Sequence, residues 1–284
     1  HDGDIIEIAY SPNGEFLASA SAGVTLYDAE TGNVVRNFAP DFEKEKWVVQ
    51  NVAFSPDSSL LVRSEQSISY IYRVSDGSIA ATLPGSDNVK FTPDGKRLVI
   101  GNYDSFEIWD TTKWKSICRL KDTGWAQVGV SPDGKLLAVG DQGNAIHIIN
   151  IESCSEIKTI NDQPNWVEAV AFSPDGNTLA AATDGVIRRW DTTTWSQYSD
   201  IQGYGPFQYT PDGKNMVFLR NSAPIEGTVW NAWYIGDVTW VNLLNNESKI
   251  ILSPIYRAKI AVSPDGRTLA VSGNSGMLYL VKLY

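Results

Sequence analysis

A six-residue phrase, AFSPDG at residues 171–176, returns along the whole chain of 284 residues. It stands as AFSPDS at residues 53–58, and KFTPDG, GVSPDG, QYTPDG and AVSPDG follow the same outline. One proline marks each of the seven copies, at successive spacings of 44, 37, 39, 42, 37 and 53 residues: Pro12, Pro56, Pro93, Pro132, Pro174, Pro211 and Pro264. A period of roughly 40 residues over a whole chain indicates a repeat architecture.

Each copy predicts a β-hairpin with a tight turn. Pro174 sets φ for the first corner, Asp175 can accept hydrogen bonds from nearby backbone N–H groups, and Gly176 can adopt the left-handed conformation. Apolar runs lie on both sides, at 170–172 and 179–182. Ser58 stands where the other copies have glycine, so its backbone is expected to be less favourable.

Two further strands complete each unit. A third run often ends in an aromatic and a polar residue, as in VTLYD (24–28) and FEIWD (106–110). A polar turn and a weaker fourth run follow, as in VVRNF (34–38), SICRL (116–120) and EIKTI (156–160). Four short antiparallel strands, repeated seven times, predict an all-β fold, a seven-bladed β-propeller. A propeller is one closed unit, so residues 1–284 are expected to form a single domain.

With these motifs, the chain resembles the WD-repeat family along essentially its whole length. The SPDG turns and the endings Tyr27-Asp28, Trp109-Asp110 and Trp190-Asp191 carry the resemblance, and residues 165–191 form its best single copy. The chain departs from the family in its histidines, since it has only His1 and His147. The family's Asp–His–Ser/Thr–Trp network therefore cannot be complete in most blades. SPDG turns also occur in other seven-bladed propellers, including quinoprotein-like ones.

The seventh repeat is predicted to be incomplete within this chain. Residues 277–284 form a third strand, and no residues remain for a fourth. WD-repeat propellers usually take that strand from the N-terminal end, but HDGDIIEIAY enters the first strand almost at once. We expect a propeller domain from a longer polypeptide whose other domains are among its partners. The alternative is a ring left open, with an exposed sheet edge.

Composition limits the classes of partner. The formal net charge of −10 argues against nucleic acids and anionic membranes as main partners, although the turn aspartates supply part of that charge. No stretch approaches the roughly 18 apolar residues that span a bilayer. Cys118 and Cys154 are not expected to pair, which favours a cytoplasmic location and leaves an exported one open.

The sequence offers little material for catalysis. With two histidines and two cysteines, neither zinc ligation nor Ser–His chemistry is expected, and His147 is interpreted as a packing residue of a third strand. There is no glycine-rich phosphate loop, and most aspartates belong to the repeated turns. We expect no enzyme and no cofactor. A quinoprotein-like oxidoreductase would need paired cysteines or metal-binding side chains at the channel.

Aromatic residues mark the predicted binding surface. Three repeats have a tryptophan on the link before the innermost strand, eight, six and seven residues before the turn serine: Trp47, Trp125 and Trp166. Later repeats have Tyr204 and Tyr256 at similar places, and Tyr103 lies on a loop of the same face. Acidic residues surround them: Glu45, Asp87, Asp122 and Asp162. This pattern predicts a scaffold that binds a protein or peptide carrying Lys or Arg.

Other interpretations stay open at this point. Each tryptophan can instead be half buried against its own blade. A ligand-sensing propeller, attached to a larger signalling or NTPase protein, would place a small molecule at the channel mouth. The irregular sixth repeat is a second candidate surface, since four aromatic residues cluster there: Trp230, Trp233, Tyr234 and Trp240.

Overall fold

The fold is known from a computed structural model, which describes residues 4–38, 49, 51–65, 67–85, 88–102, 105–121, 127–161, 163–221, 235–256, 258–272 and 276–283. These residues form seven antiparallel sheets, in which the strands follow one another in chain order. Six sheets have four strands and the last has three. The sheets are the blades of a propeller, numbered 1 to 7 along the chain, and the predicted fold class is confirmed.

The first four blades span the strands from β1 to β16. They are β1 (Glu7–Tyr10), β2 (Phe16–Ala20), β3 (Val24–Asp28) and β4 (Val34–Phe38); β5 (Asn51–Phe54), β6 (Leu60–Glu65), β7 (Ile68–Arg73) and β8 (Ile79–Pro84); β9 (Val89–Phe91), β10 (Arg97–Gly101), β11 (Ser105–Asp110) and β12 (Lys115–Lys121); and β13 (Gln127–Val130), β14 (Leu136–Gly140), β15 (Ile146–Asn150) and β16 (Ser155–Ile160).

The last three blades contain the strands from β17 to β27. They are β17 (Ala169–Phe172), β18 (Thr178–Thr183), β19 (Val186–Asp191) and β20 (Ile201–Gln202); β21 (Tyr204–Tyr209), β22 (Asn215–Asn221), β23 (Ile235–Asn242) and β24 (Ser248–Tyr256); and β25 (Ile260–Val262), β26 (Thr268–Ser272) and β27 (Leu278–Lys282). Within the described residues, no helix is long and apolar enough to cross a bilayer.

The first strand of each blade lies innermost, and contacts between these strands close the ring. Each first strand touches the first strands of both neighbouring blades, including β25 against β1. The cores lie between blades: Ile8 and Leu17 of blade 1, for example, pack with Ala261 and Ala270 of blade 7. Each sheet is therefore buried on both faces, which explains why small residues alternate with Val, Ile and Leu.

The repeated turns share one hydrogen-bond pattern. In blade 5, the Ser173 hydroxyl donates to Asp175 Oδ1, and it accepts from the Thr178 N–H at 2.9 Å. Asp175 Oδ1 also accepts from the Asn177 N–H at 3.0 Å, while Gly176 has φ +75°. All seven turns have the equivalent bonds, with Asn13 in the aspartate's place in blade 1. Ser58 adopts the strained left-handed conformation predicted for it, at φ 61°.

The turns lie side by side on one face of the ring. The proline ring of each turn from blade 2 to blade 6 borders the glycine of the next turn; a Cβ on that glycine would lie 3.3–3.7 Å from the proline Cδ. Between blades 1 and 2, the Asn13 N–H donates to Ser58 Oγ at 3.1 Å. The seven turns therefore lie in order on one face of the propeller, which we call the ring of turns, and the first strands begin at the opposite face.

The turn aspartates predict acid sensitivity. The pKa is lowered in six of these carboxyls, and the largest cause is the hydrogen bond from the Ser or Thr hydroxyl of the same turn. They are Asp57, Asp94, Asp133, Asp175, Asp212 and Asp265. A folded-state pKa below the unfolded value of about 3.9 contributes stability above that pH, and this contribution is lost as pH falls through the folded value. We expect the melting temperature to be level from neutral pH to about 5 and to fall steeply below about 4.

Asparagine offers a matched control for this prediction. Asn13 already fills the aspartate position in blade 1 and accepts from the Ser11 hydroxyl at 2.7 Å. Asp175→Asn should therefore keep the turn and remove one titrating group, which makes the decline of melting temperature with acid shallower. The same slope in both proteins would show that the turn carboxylates do not govern acid unfolding.

The two cysteines are paired, so the prediction that they stay free is wrong. Cys118 of β12 and Cys154, in the turn before β16, form a disulfide with Cα atoms 6.3 Å apart, inside the usual range. Both side chains lie in the core between blades 3 and 4, where Cys118 is buried. Sequence spacing did not reveal the pair because the cysteines belong to different blades, 36 residues apart.

Candidate functional site

A cavity of about 580 Å³ opens at the channel mouth, on the face opposite the ring of turns. It is lined where the innermost strands begin, by residues of blades 1, 2, 3, 4, 5 and 7. Its volume lies within the usual range of pockets that bind small molecules. Because many blades contribute to it, the cavity exists only in the closed ring.

Polar side chains occupy one repeated position around this cavity. The position lies four residues before the turn Ser or Thr, and in order of blades it contains Glu7, Asn51, Asn88, Gln127, Ala169, Pro206 and Lys259. The five polar members all line the cavity. We name these five, Glu7, Asn51, Asn88, Gln127 and Lys259, the polar ring. Sequence reasoning missed it, although aligning the seven repeats on their turns would have displayed it.

The two charged members of the polar ring face each other across the junction of the last and first blades. Lys259 Nζ lies 3.9 Å from Glu7 Oε2, and both side chains are about one third exposed or less. Glu7 Oε1 also accepts from the Ile8 N–H at 3.2 Å. The ammonium of Lys259 is thus partly neutralised within the protein, while the amides of the ring are uncharged.

Trp166 lies at the rim of the cavity, on the link that leads into β17. Its side chain is 56% exposed, the largest exposure of any described aromatic residue. The link is tied to blade 4, since the Val167 N–H donates to the Asp141 carbonyl at 3.3 Å. It is tied to blade 5 by the Thr183 hydroxyl, which donates to the Asn165 carbonyl at 3.0 Å. A backbone held in this way presents the indole at a defined place.

Gly140 makes room for this link. A Cβ built on Gly140 would lie 2.3 Å from Val167 Cγ1, closer than any real contact allows. Val167 is buried against the core between blades 4 and 5, directly beside Trp166. The glycine at the end of β14 therefore lets Val167 anchor the tryptophan link.

Glu168 brings a carboxylate to the same rim. Its Oε2 accepts from the Gly205 N–H at 3.2 Å, and the backbone N–H of Asp184 also bonds to it. The side chain is half-buried and lines the cavity. Burial is the main cause that raises the pKa of Glu168, and the nearby charge of Asp184 adds to it.

The structure describes only part of the predicted aromatic surface. Trp166 lies at the mouth and is exposed. Tyr204 is the first residue of β21 rather than a link residue; it is half-buried, and its hydroxyl lies 2.8 Å from where a Cβ on Gly185 would be. Tyr256 ends β24, and its side chain is not among those described. The other aromatic and acidic members lie outside the described residues: Trp47, Tyr103, Trp125, Glu45, Asp87, Asp122 and Asp162.

The sixth blade has the longest outer strands of the described propeller. β23 has eight residues and β24 has nine, and Trp240 packs within β23 at the core between blades 6 and 7. Trp230, Trp233 and Tyr234 lie outside the described residues.

His147 is a structural residue of blade 4. It lies in β15, where Nε2 is 3.2 Å from Asp141 Oδ2 and Nδ1 is 3.0 Å from Glu156 Oε2. Asp141 Oδ1 accepts from the Ala145 N–H at 2.8 Å, which closes the loop between β14 and β15. Across the described ranges, no cluster of three or more His, Cys, Asp or Glu residues could hold a metal ion.

One known family matches a single repeat of this propeller. The profile of the family described as WD domain, G-beta repeat matches residues 154–191, which contain most of blade 5 and its tryptophan link. This match and the seven-bladed fold support a WD-repeat propeller. This propeller is similar to the WD repeat-containing protein WDS homolog of Arabidopsis thaliana, at 25% identity over 84% of the chain and 52% of that protein.

Further similar proteins cover shorter stretches of the chain. It is 25% identical to U3 small nucleolar RNA-associated protein 15 of Schizosaccharomyces pombe, over 55% of the chain and 32% of that protein. It is also 25% identical to target of rapamycin complex subunit wat1 of the same yeast, over 69% of the chain and 62% of that protein. The chain spans less than two thirds of the length of each of these relatives.

Proposed function

We propose that this WD-repeat propeller is a non-catalytic scaffold that binds a protein or peptide segment at the channel mouth. The exposed indole of Trp166, at the rim of the cavity that the polar ring lines, carries the proposal. An aromatic anchor beside a polar rim is the usual anatomy of an interaction hot spot. The ring of blades holds this surface rigid, which lowers the entropic cost of binding.

The relatives favour the same class of function. One is named as a subunit of the target of rapamycin complex, and another as a protein associated with a small nucleolar RNA. We infer from them an assembly role for this propeller. The names of these relatives identify neither the binding face nor the partner of this propeller, so the proposed face depends on Trp166.

Trp166→Ala tests the binding face. A photo-crosslinking amino acid at position 166 should first trap the partner, and the partner's affinity is then measured for each variant by calorimetry. Truncation of a central aromatic anchor costs about 2 kcal/mol or more, so Trp166→Ala should weaken binding roughly 30-fold. Circular dichroism and the melting temperature should stay close to the wild-type values, because the side chain is largely exposed.

Leu244→Ala is the matched control. Leu244 is 83% exposed and lies in the turn between β23 and β24, on the face of the SPDG turns. Its truncation should leave the affinity unchanged, and a crosslinker there should trap nothing. Equal trapping at 166 and 244, or normal binding by Trp166→Ala, would refute the mouth as the binding face and direct attention to blade 6.

A small polar ligand is the second candidate, since the polar ring converges on one cavity. Such a site needs a few well-placed polar groups rather than a broad surface. Double substitution of Asn51 and Gln127 by alanine should abolish binding of a small ligand and change the affinity of a protein segment much less. Thermal shift screens with and without this double variant separate the two candidates.

The predicted compartment depends on the disulfide. We propose that the chain does not use nucleic acids or membranes as main partners, in keeping with its net charge of −10. The predicted cytoplasmic location fits poorly with the pair Cys118–Cys154, because structural disulfides are rare in the cytosol. The test is to alkylate free thiols in rapidly quenched cells and to read the modified cysteines by mass spectrometry. Alkylated Cys118 is a free thiol and favours the cytoplasm, whereas Cys118 protected from alkylation favours an oxidising compartment.

A further inference from the structure

Glu168 is a half-buried carboxylate that has no cationic partner among the described residues. Its bonds come from two backbone N–H groups, of Gly205 and Asp184, and the charge that acts on it, from Asp184, is also negative. A carboxylate removed from water without a counter-ion is costly, as its raised pKa reflects. A cation that arrived at this place would recover part of that cost.

The surroundings of Glu168 suit an organic cation. Trp166 lies two residues before it on the same link, lines the same cavity and exposes 56% of its surface. An indole face attracts ammonium and guanidinium groups, and a carboxylate adds a charge-assisted hydrogen bond. On its other side, the carboxylate meets Gly205, so the free approach is from the cavity.

The rest of the mouth favours a cation over an anion. Besides Glu168, the charged side chains that line the cavity are Glu7 and Lys259, and these two already lie 3.9 Å apart. The remaining polar lining consists of amides, at Asn51, Asn88, Gln127 and Gln142. The described lining thus has two carboxylates and one ammonium, and Glu168 is the carboxylate left for a ligand.

We propose that Glu168 and Trp166 form a subsite for one cationic side chain, a Lys or Arg of the segment that binds at the channel mouth. The proposal rests on the proposed function for its biological meaning. The subsite itself is a physical property of the propeller and can be measured without the partner.

Small model compounds test the subsite directly. The probes are N-acetyl-lysine methylamide and N-acetyl-arginine methylamide, with N-acetyl-norleucine methylamide as the neutral control. NMR of the propeller labelled with ¹³C at the glutamate carboxyls should show that the cationic probes lower the titration midpoint of Glu168. Glu168→Gln identifies that resonance, and it should weaken binding of the cationic probes roughly tenfold or more while the protein stays folded.

A second glutamate serves as the matched control. Glu247 is exposed in the turn between β23 and β24, on the opposite face. Glu247→Gln makes the same chemical change, and it should leave probe binding unaltered. If norleucine binds as well as lysine, if no cationic probe binds, or if Glu168→Gln binds them normally, the subsite does not exist.

The outcome separates this proposal from the scaffold function. A trapped partner that needs Trp166 but tolerates Glu168→Gln would overturn the cation subsite and leave the scaffold intact. Probe binding that depends on Glu168, without any partner trapped at position 166, would support the subsite and count against the scaffold.

Discussion

Glu65→Ala is expected to lower the free energy of unfolding by about 3–5 kcal/mol. Glu65 forms an ion pair with Arg63, and the exposed fractions of the two side chains are 8% and 1%. Arg63 lies in β6, at the interface of blades 1 and 2, with its guanidinium 5.8 Å from the centre of the Tyr70 ring. Removal of the carboxylate leaves a buried charge without its anion. Denaturant unfolding, followed by fluorescence, measures the loss.

Two control variants test whether the loss of stability in Glu65→Ala comes from the buried charge of Arg63. The double variant Arg63→Met, Glu65→Leu removes both charges, so it should be close to wild type or more stable. Lys135→Ala removes one partner of the exposed pair with Asp133, 3.6 Å apart, and should cost about 1 kcal/mol or less. If Glu65→Ala costs no more than Lys135→Ala, the pair between blades 1 and 2 does not act as a buried ion pair.

Loss of the disulfide should destabilise the propeller by about 4 kcal/mol. The cysteines are 36 residues apart, and closure of a loop of that length in the unfolded chain corresponds to roughly this value in the chain-entropy model. The disulfide also joins β12, the fourth strand of blade 3, to blade 4, beside the core that the two blades share. We therefore expect the double variant Cys118→Ala, Cys154→Ala to unfold at a clearly lower denaturant concentration.

A reductant supplies the control for this second prediction. Reduction should destabilise the wild-type chain to a similar extent and leave the double variant unchanged. Mass spectrometry after alkylation of the unfolded chain counts the free thiols in each sample. Two alkylated cysteines in the untreated wild type would contradict the pairing.

Local chemistry explains why the fold was predictable. A tight turn depends only on neighbouring residues, so Ser173, Asp175 and Gly176 are enough to predict a hairpin. The regular spacing of the seven prolines then predicts seven blades. The third and fourth strands were predictable because a polar turn lies between them. The predicted strands 24–28 and 34–38 match β3 and β4 residue for residue.

The candidate site was only partly predictable. Trp166 was found because an aromatic residue on a link stands out from the repeat. Glu168 did not stand out, since a glutamate before a strand has no distinctive pattern. Its importance arises from the Gly205 N–H of the next blade and from burial at the mouth, which depend on how blades 5 and 6 meet.

The sequence by itself determined the turns, the number of blades and the order of strands, because these depend on turns between strands that are neighbours along the chain. The tertiary structure alone decided which residues of different blades meet. Lys259 reaches Glu7 only because the ring closes, and Cys118 reaches Cys154 only because blades 3 and 4 stack. The channel mouth follows the same rule: its polar ring takes single residues from five blades, and closure of the ring brings them to one cavity.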